Sequence, residues 1–361
     1  MPELRRTKEE AQGLLDRFLA TGASQVDTGV LQPAGTLLDL YGEDIRARAF
    51  VTHDPLRGEL MLRPDFTVPV VQRHMAEGAE PARYTYMGEV FRMQEDEALN
   101  RPTEYIQVGY EIFDRENPAE ADAEVYALIR EALAPLHLHA ATGDIGILIA
   151  AVQGLATSER RKAALMRHLW RPRRFRALLE RFSGKRQMPD TRRALLDGKV
   201  TCTAPQIGLR SAAEVADRID ALREDAATPP ISREQLDLVE AVAQVKETCP
   251  FALERLRDLA VDLPAIADAV DRLAARIDAL AARGVDVEQL DFEATYGRTS
   301  MEYYDGFVFG FYASGRPDLP PVATGGRYDA LTRQLGAGRE IPAVGGVIRP
   351  GLAVELGGLS A

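Results

Sequence analysis

Residues 104 to 113 read EYIQVGYEIF, a period-two pattern that predicts a β-strand. Ile106, Val108, Tyr110 and Ile112 fall on one face, and Tyr105, Gln107, Gly109, Glu111 and Phe113 on the other. The second face fits either a solvated sheet surface or the floor of a pocket for a small cationic or zwitterionic ligand. Further strands are predicted in ELMLRPDF (59–66), RYTYMGEVFR (83–92), QLDFEATYG (289–297) and YYDGFVFGFYASG (303–315). The short charged spacer between residues 92 and 104 predicts an antiparallel pair. Gly306 and Gly310 share a strand face with Tyr304, Val308 and Tyr312, where glycine suits a close approach to the backbone.

Helical periodicity governs the rest. The first helix shows an apolar stripe of Ala11, Leu14, Leu15, Phe18 and Leu19, with a stop at Gly22 and a capping box expected from Thr7 and Glu10. A second helix opens at NPAE, with Asn117 as cap, Pro118 in its first turn and a buried stripe of Val125, Leu128, Ile129 and Leu133. From about 148 to 285 the chain is rich in Ala, Leu and Arg with little strand signal, ending in a helix stopped by Gly284. The tail predicts a glycine turn at VATGG, a helix whose first amides are open to a carboxylate, a strand and a last helix. The expected organisation is an α+β core formed by 1–147 and 286–361, with a mainly helical insertion at 148–285.

Composition narrows the function. Forty-four Lys and Arg against 55 Asp and Glu give a net charge of -11, which argues against a protein that coats nucleic acid. The N-terminus has no apolar signal core, no run is long enough to span a membrane, and Cys202 and Cys249 lack metal-site spacing, so a cytoplasmic chain is expected. His137 and His139 are expected to share a strand face, but without a third ligand nearby no metal is expected. Nine Lys or Arg and one acid lie between Arg160 and Arg181, which reads as a solvated helical face or a patch for an acidic partner surface.

Four polar clusters sit on predicted strands or at their ends: LRPDFT (62–67), GEVFR (88–92), TEYIQVGYE (103–111) and EYYDG (302–306). Asp65, Glu111 and Glu302 suit an ammonium group, Gln107 and Thr67 add neutral hydrogen bonds, and Arg92 offers a planar fork to a phosphate or carboxylate.

In their order along the chain these segments resemble the catalytic core of class II aminoacyl-tRNA synthetases, in the histidyl-tRNA synthetase branch. TGVLQPAGTLLDLYGED is similar to the first, dimer-forming motif, with Pro33 at its proline; LRPDFT to the amino-acid-holding segment; and MGEVFR through YIQVGYE to the second motif. EYYDG and GGRYD are similar to the two histidine-recognition segments, and PAVGGVIRPG to the third motif. The resemblance implies an antiparallel sheet flanked by helices. It implies a histidine pocket with Glu111 and Gln107 at the ammonium or imidazole, Asp65 and Thr67 at the amino group, and Tyr303 or Tyr304 at the ring.

The chain departs from the synthetases at three places. Thr299 stands where the substrate-activating arginine is usual, with Arg298 one residue out of register. RPGL leaves Gly351 at the place of the ATP-holding arginine of motif three, and glycine has neither charge nor donor to replace it. No anticodon-binding module is expected after the third motif. With the amino-acid pocket kept, the pattern resembles the regulatory subunits of short-form ATP phosphoribosyltransferase. Such subunits serve histidine biosynthesis and mediate feedback inhibition by histidine without catalysing the transfer. The resemblance implies a homodimer through residues 30–41, assembled with a separate catalytic chain in a hetero-octamer. It implies L-histidine as effector, no cofactor and no tRNA; the alternative is an enzyme that activates an amino acid without charging tRNA.

Overall fold

The computed structural model describes residues 2–41, 43–93, 101–200, 207–297 and 303–359. Twelve strands run in the order β1 (Ser24–Gln25), β2 (Leu31–Pro33), β3 (Val51–Asp54), β4 (Gly58–Leu62), β5 (Ala82–Phe91), β6 (Glu104–Phe113), β7 (His139–Asp144), β8 (Lys246–Thr248), β9 (Asp291–Glu293), β10 (Phe307–Tyr312), β11 (Ala323–Arg327) and β12 (Ala343–Ile348). Nine of them form one sheet, ordered β1-β5-β6-β12-β11-β10-β7-β9-β8, and β2-β4-β3 form a second, smaller sheet. The six central strands, from β5 to β7, pair antiparallel throughout. The expected antiparallel sheet is therefore its centre; the parallel pairs β1–β5 and β7–β9 make the whole sheet mixed.

Period-two alternation sorts the sheet into two buried faces. Ile106, Val108, Tyr110 and Ile112 of β6 join Phe307, Phe309 and Phe311 of β10 and Val344 and Ile348 of β12 in one core. Helices α1 (Pro2–Leu19) and α4 (Pro118–Ala132) supply its other wall, with Phe18 and Val125 fully buried. The other face carries Phe113, Val308, Ala343 and Val347, and it packs under α2 (Ala34–Tyr41), α3 (Thr67–Glu77) and α13 (Asp329–Leu335). Both faces of β6 are thus buried, which excludes the solvated-face reading of Gln107 and Glu111.

Residues 145–282 fold mainly as helices, α5 (Ile145–Gln153), α6 (Glu159–Arg167), α7 (Pro172–Phe182), α8 (Asp190–Leu196), α9 (Ala212–Ala227), α10 (Arg233–Ala243), α11 (Cys249–Asp262) and α12 (Ala267–Ala282), with β8 between α10 and α11 joining the main sheet. The last helix, α14 (Pro350–Glu355), lies against α1. Arg276 of α12 reaches Asp122 of α4 at 2.8 Å and Asp144 at 2.7 Å, while Arg327 of β11 holds the other oxygen of Asp122 at 2.6 Å. These groups are almost fully buried, so charge is balanced locally, not solvated.

Several local expectations change. Thr7 lies inside α1, which starts at Pro2, and its hydroxyl donates to the Glu3 carbonyl 2.9 Å away instead of capping a helix. Asn117 makes no side-chain cap; Asp114 accepts from the Glu116 and Asn117 amides instead. VATGG is strand β11, not a turn, because its glycines pair with β10 and β12. His137 has φ 48 and precedes β7, so it shares no strand face with His139, which pairs with Asp291 at 3.3 Å. Cys249 is buried with a free thiol, and Cys202 lies outside the described residues.

Candidate functional site

The face of β6 that carries Gln107 and Glu111 is also the floor of a pocket. Its lining includes Asp65, Thr67, Arg92, Gln107, Glu111, Tyr303 and Tyr304, so the structure gathers in one place seven residues expected to contact a ligand. Glu302, together with Arg298 and Thr299 at the departure from the synthetase pattern, lies outside the described residues. Strand β6, the residue after β5, the turn at 64–66, the start of α3 and the segment before β10 bring the seven together from stretches far apart in sequence.

Glycines make the space. Gly345 stands opposite Glu111 in the β12–β6 register, and a Cβ there would fall 1.4 Å from Glu111 Oε2. Gly109 stands opposite Tyr86, and a Cβ there would meet the tyrosine ring at 2.1 Å. The bare position between Gln107 and Glu111 therefore lets the Tyr86 ring cross the strand and reach the carboxylate. Phe66 stacks on that ring at 4.4 Å, and the Arg63 guanidinium lies over Phe66 at 4.0 Å. Arg63 also donates to the carbonyls of Glu89 and Thr28, which locks the stack to the surrounding loops.

Glu111 is the electrostatic centre. Its Oε1 accepts from the Thr67 hydroxyl at 3.0 Å and the Tyr86 hydroxyl at 2.9 Å, and its Oε2 from the Tyr328 hydroxyl at 2.5 Å. Burial pushes its pKa up to about 7, against the pull of those three donors, and the nearby Asp65 adds to the rise. A cation arriving beside this carboxyl would favour its ionised form. Gln107 is fully buried, and neither its Nε2 nor its Oε1 has a hydrogen-bond partner. A buried amide left unpaired on both atoms costs about 1–3 kcal/mol per group, so the position stands ready for a polar ligand.

Arg92 and Arg349 also line the pocket and supply positive charge. Arg349 donates to the Pro321 carbonyl at 2.6 Å, and burial lowers its pKa, with the like charge of Arg92 acting in the same direction. Gly351 points elsewhere: a Cβ on it would approach Thr7 of α1. Gly351 thus adds nothing to the pocket, while Arg349, two residues earlier and not expected there from the sequence, lines it. The free interior amounts to about 10 Å³, room for about one water, so a larger ligand requires some of the lining side chains to move.

The two recognition segments are clasped together. Asp305 accepts from the first amides of α13, those of Asp329 at 3.0 Å and Ala330 at 2.6 Å. The helix start expected to receive a carboxylate has one from its own chain. Burial raises the Asp305 pKa to about 7, helped by the charge of Asp329.

Sequence reasoning misses Tyr86, Tyr328 and Arg349. Tyr86 is detectable from register, since an antiparallel pairing of 83–92 with 104–113 sets it opposite Gly109. Tyr328 lies within GGRYD, one of the two recognition segments. Arg349 has no signal beyond its place at the end of a strand that enters the pocket.

A profile of the histidyl-tRNA synthetase family matches residues 1–228 and 193–350. A protein of Agrobacterium fabrum named ATP phosphoribosyltransferase regulatory subunit is 33% identical over 93% of this chain and 94% of its own length. One of the same name from Brucella anthropi is 31% identical over 90% of each chain.

The chain belongs to the family of ATP phosphoribosyltransferase regulatory subunits.

The fold agrees with that of regulatory subunits and synthetases alike. A Bacillus halodurans structure described as an ATP phosphoribosyltransferase regulatory subunit/histidyl-tRNA synthetase superposes with a TM-score of 0.69 at 22% identity, covering 99% of this chain and 80% of that one. A histidine–tRNA ligase subunit from Alicyclobacillus acidocaldarius gives 0.61 at 24% identity, covering 98% of this chain and 93% of its own. As a regulatory subunit the protein works in histidine biosynthesis. Among the described residues no helix is long and apolar enough to cross a membrane, and no group of His, Cys, Asp or Glu could hold a metal ion.

Proposed function

We propose that this chain is the histidine-sensing, non-catalytic subunit of a two-chain ATP phosphoribosyltransferase, and that it conveys feedback inhibition to a separate catalytic chain. The observation that carries the reading is the Gln107 amide, buried and unpartnered in a pocket lined also by Glu111 and by two guanidinium groups. L-Histidine matches this arrangement: its ammonium and imidazole suit Glu111, Asp65, Thr67 and Gln107, its carboxylate suits Arg92 or Arg349, and its ring suits Tyr303 or Tyr304. Occupancy can inhibit the catalytic chain only if the inactive complex binds histidine more tightly than the active one. The test is phosphoribosyl transfer by the reconstituted complex, titrated with histidine, using wild-type chain and the Gln107→Ala, Glu111→Ala double variant. The double variant is expected to assemble and activate normally while losing histidine sensitivity. Unchanged sensitivity would place the inhibitory site on the catalytic chain.

The assembly we infer is a homodimer within a hetero-octamer. Val30, Leu31, Val51 and Leu56 expose apolar side chains on or next to the small sheet, and β2, which lies within residues 30–41, is an edge strand of that sheet. Sedimentation of the isolated chain at micromolar concentration should give a dimer; a monomer contradicts the inference. A second reading draws on Arg92 and Arg349 together, since two guanidiniums in the pocket suit a phosphate as well as a carboxylate. It holds that the chain activates an amino acid without charging tRNA. Exchange of labelled pyrophosphate into ATP in the presence of histidine would support it, and no exchange would remove it.

A further inference from the structure

The charge of this chain is unevenly distributed. Residues 158–199 carry fourteen Lys and Arg against four Asp and Glu, a formal +10, which leaves -21 on the remainder of a chain of net charge -11. The fold concentrates this positive charge further. Phe175, Leu179 and Phe182 form the buried stripe of α7, and Leu165 and Leu169 anchor α6 and the turn after it in the same core. The anchored stripe turns Arg160, Arg167, Arg173, Arg174, Arg176, Lys185 and Arg186 outward, where all seven are exposed. Two of the acids nearby are engaged elsewhere: Asp225 of α9 holds Arg161 at 2.7 Å and Arg181 at 2.6 Å, and Glu159 pairs with Lys162, while Glu180 of α7 pairs with none of the seven. None of the seven outward cations forms an ion pair among the described residues.

His168 lies within this positive field. Its imidazole is held below the ordinary pKa first by burial and then by the like charges of Arg171, Arg174 and Arg167, which converge on it from the turn and both helices. Like charges gathered in excess on one face cost stability, and an anionic partner would relieve that cost.

We propose that the α6–α7 face is the docking surface for a carboxylate-rich face of the catalytic chain. This rests on the regulatory-subunit reading above. A protein fits better than a nucleic acid for two reasons. Bases need exposed aromatics to stack on, whereas Phe175 and Phe182 are buried and Trp170 packs against the core. A long polyanion would also meet the -21 carried by the rest of the chain, whereas a compact acidic face can sit on the patch within about one Debye length. The patch would speed and orient encounter, with the salt sensitivity such contacts show.

The experiment measures binding of full-length chain to the catalytic chain across a range of salt concentrations. It compares wild type with the triple variant Arg167→Glu, Arg173→Glu, Arg174→Glu and with the matching Lys triple. The expected result is affinity falling steeply with salt for wild type and for the Lys triple. The Glu triple should bind about tenfold more weakly or worse at low salt, with a shallow salt slope. Histidine binding by the isolated Glu triple should equal wild type, since none of the three residues lines the pocket. Equal affinity and slope for the Glu triple and wild type would overturn the docking face alone. A wild-type chain that binds no catalytic chain would overturn both the docking face and the functional reading. A duplex or transfer RNA that wild type binds and the Glu triple does not, with complex formation intact, would replace the proposal with a nucleic-acid site.

Discussion

Replacing Glu111 by glutamine should raise stability at alkaline pH and lower it at acid pH. In the unfolded chain this carboxyl ionises at its ordinary value of 4.5, whereas in the fold it keeps its proton up to about 7 because burial disfavours the charge. Between those values the native state binds the extra proton, so stability falls as pH rises and the loss is complete above about pH 7. A rise of that size corresponds to about 3 kcal/mol. The amide of the Glu111→Gln variant never ionises and escapes this loss. Its nitrogen cannot accept from a hydroxyl, however, so one of the bonds from Thr67, Tyr86 or Tyr328 must break or reverse, at about 1 kcal/mol. Near pH 8 the variant should be about 2 kcal/mol more stable than wild type, and near pH 5 slightly less stable. Urea unfolding of both proteins at the two pH values measures the difference, and other titrating groups such as Asp305 cancel between them. A difference that stays constant with pH, or a variant less stable near pH 8, would show that the wild-type carboxyl is ionised throughout. The same substitution should weaken histidine binding, which separates a site kept for function from one kept for stability.

Three further outcomes follow from the same geometry. Gln107→Leu replaces an unpaired buried amide with an apolar group of similar size, so thermal unfolding should shift upward by an amount equivalent to about 1–2 kcal/mol while calorimetry shows weaker histidine binding. Gly345→Ala forces Glu111 off its three hydroxyls, so it should cost about 1–3 kcal/mol in urea unfolding and abolish histidine binding; unchanged binding would mean that Glu111 takes no part. Asp122→Ala strips Arg276 and Arg327 of their shared partner and should cost about 3–5 kcal/mol, and a loss below about 1 kcal/mol would show that water reaches the pair.

Much of the site was legible because β6 carries its chemistry in a period-two pattern. Gln107 and Glu111 share a face by parity alone, and the resemblance to the synthetases located Asp65, Thr67, Arg92 and the two tyrosines. The pattern could not say whether that face was wet, since covering it falls to α3 and α13 from distant parts of the chain. Local propensity also misread VATGG: two glycines signal a turn, yet here they let β11 lie between β10 and β12, with Phe309 and the Gly345 carbonyl close against Gly325. Gly310 admits a neighbour rather than a ligand, since a Cβ there would meet the Tyr296 hydroxyl at 2.0 Å. The Asp122, Arg276 and Arg327 cluster gave no sequence signal, as its members lie on three elements and look like ordinary surface charges until packing buries them.

The Asp305 clasp couples the tyrosine segment to α13. Its carboxyl group accepts from both leading amides of the helix, so the chain next to Tyr303 and Tyr304 is anchored to the start of α13. Seven residues make a rod of about 10 Å, short enough to stay stiff. Near its far end Gln334 donates to the Asp39 carbonyl of α2, 3.2 Å away. The tyrosine segment, α13 and α2 are therefore joined end to end by hydrogen bonds, which ties the pocket's edge to the neighbourhood of the small sheet.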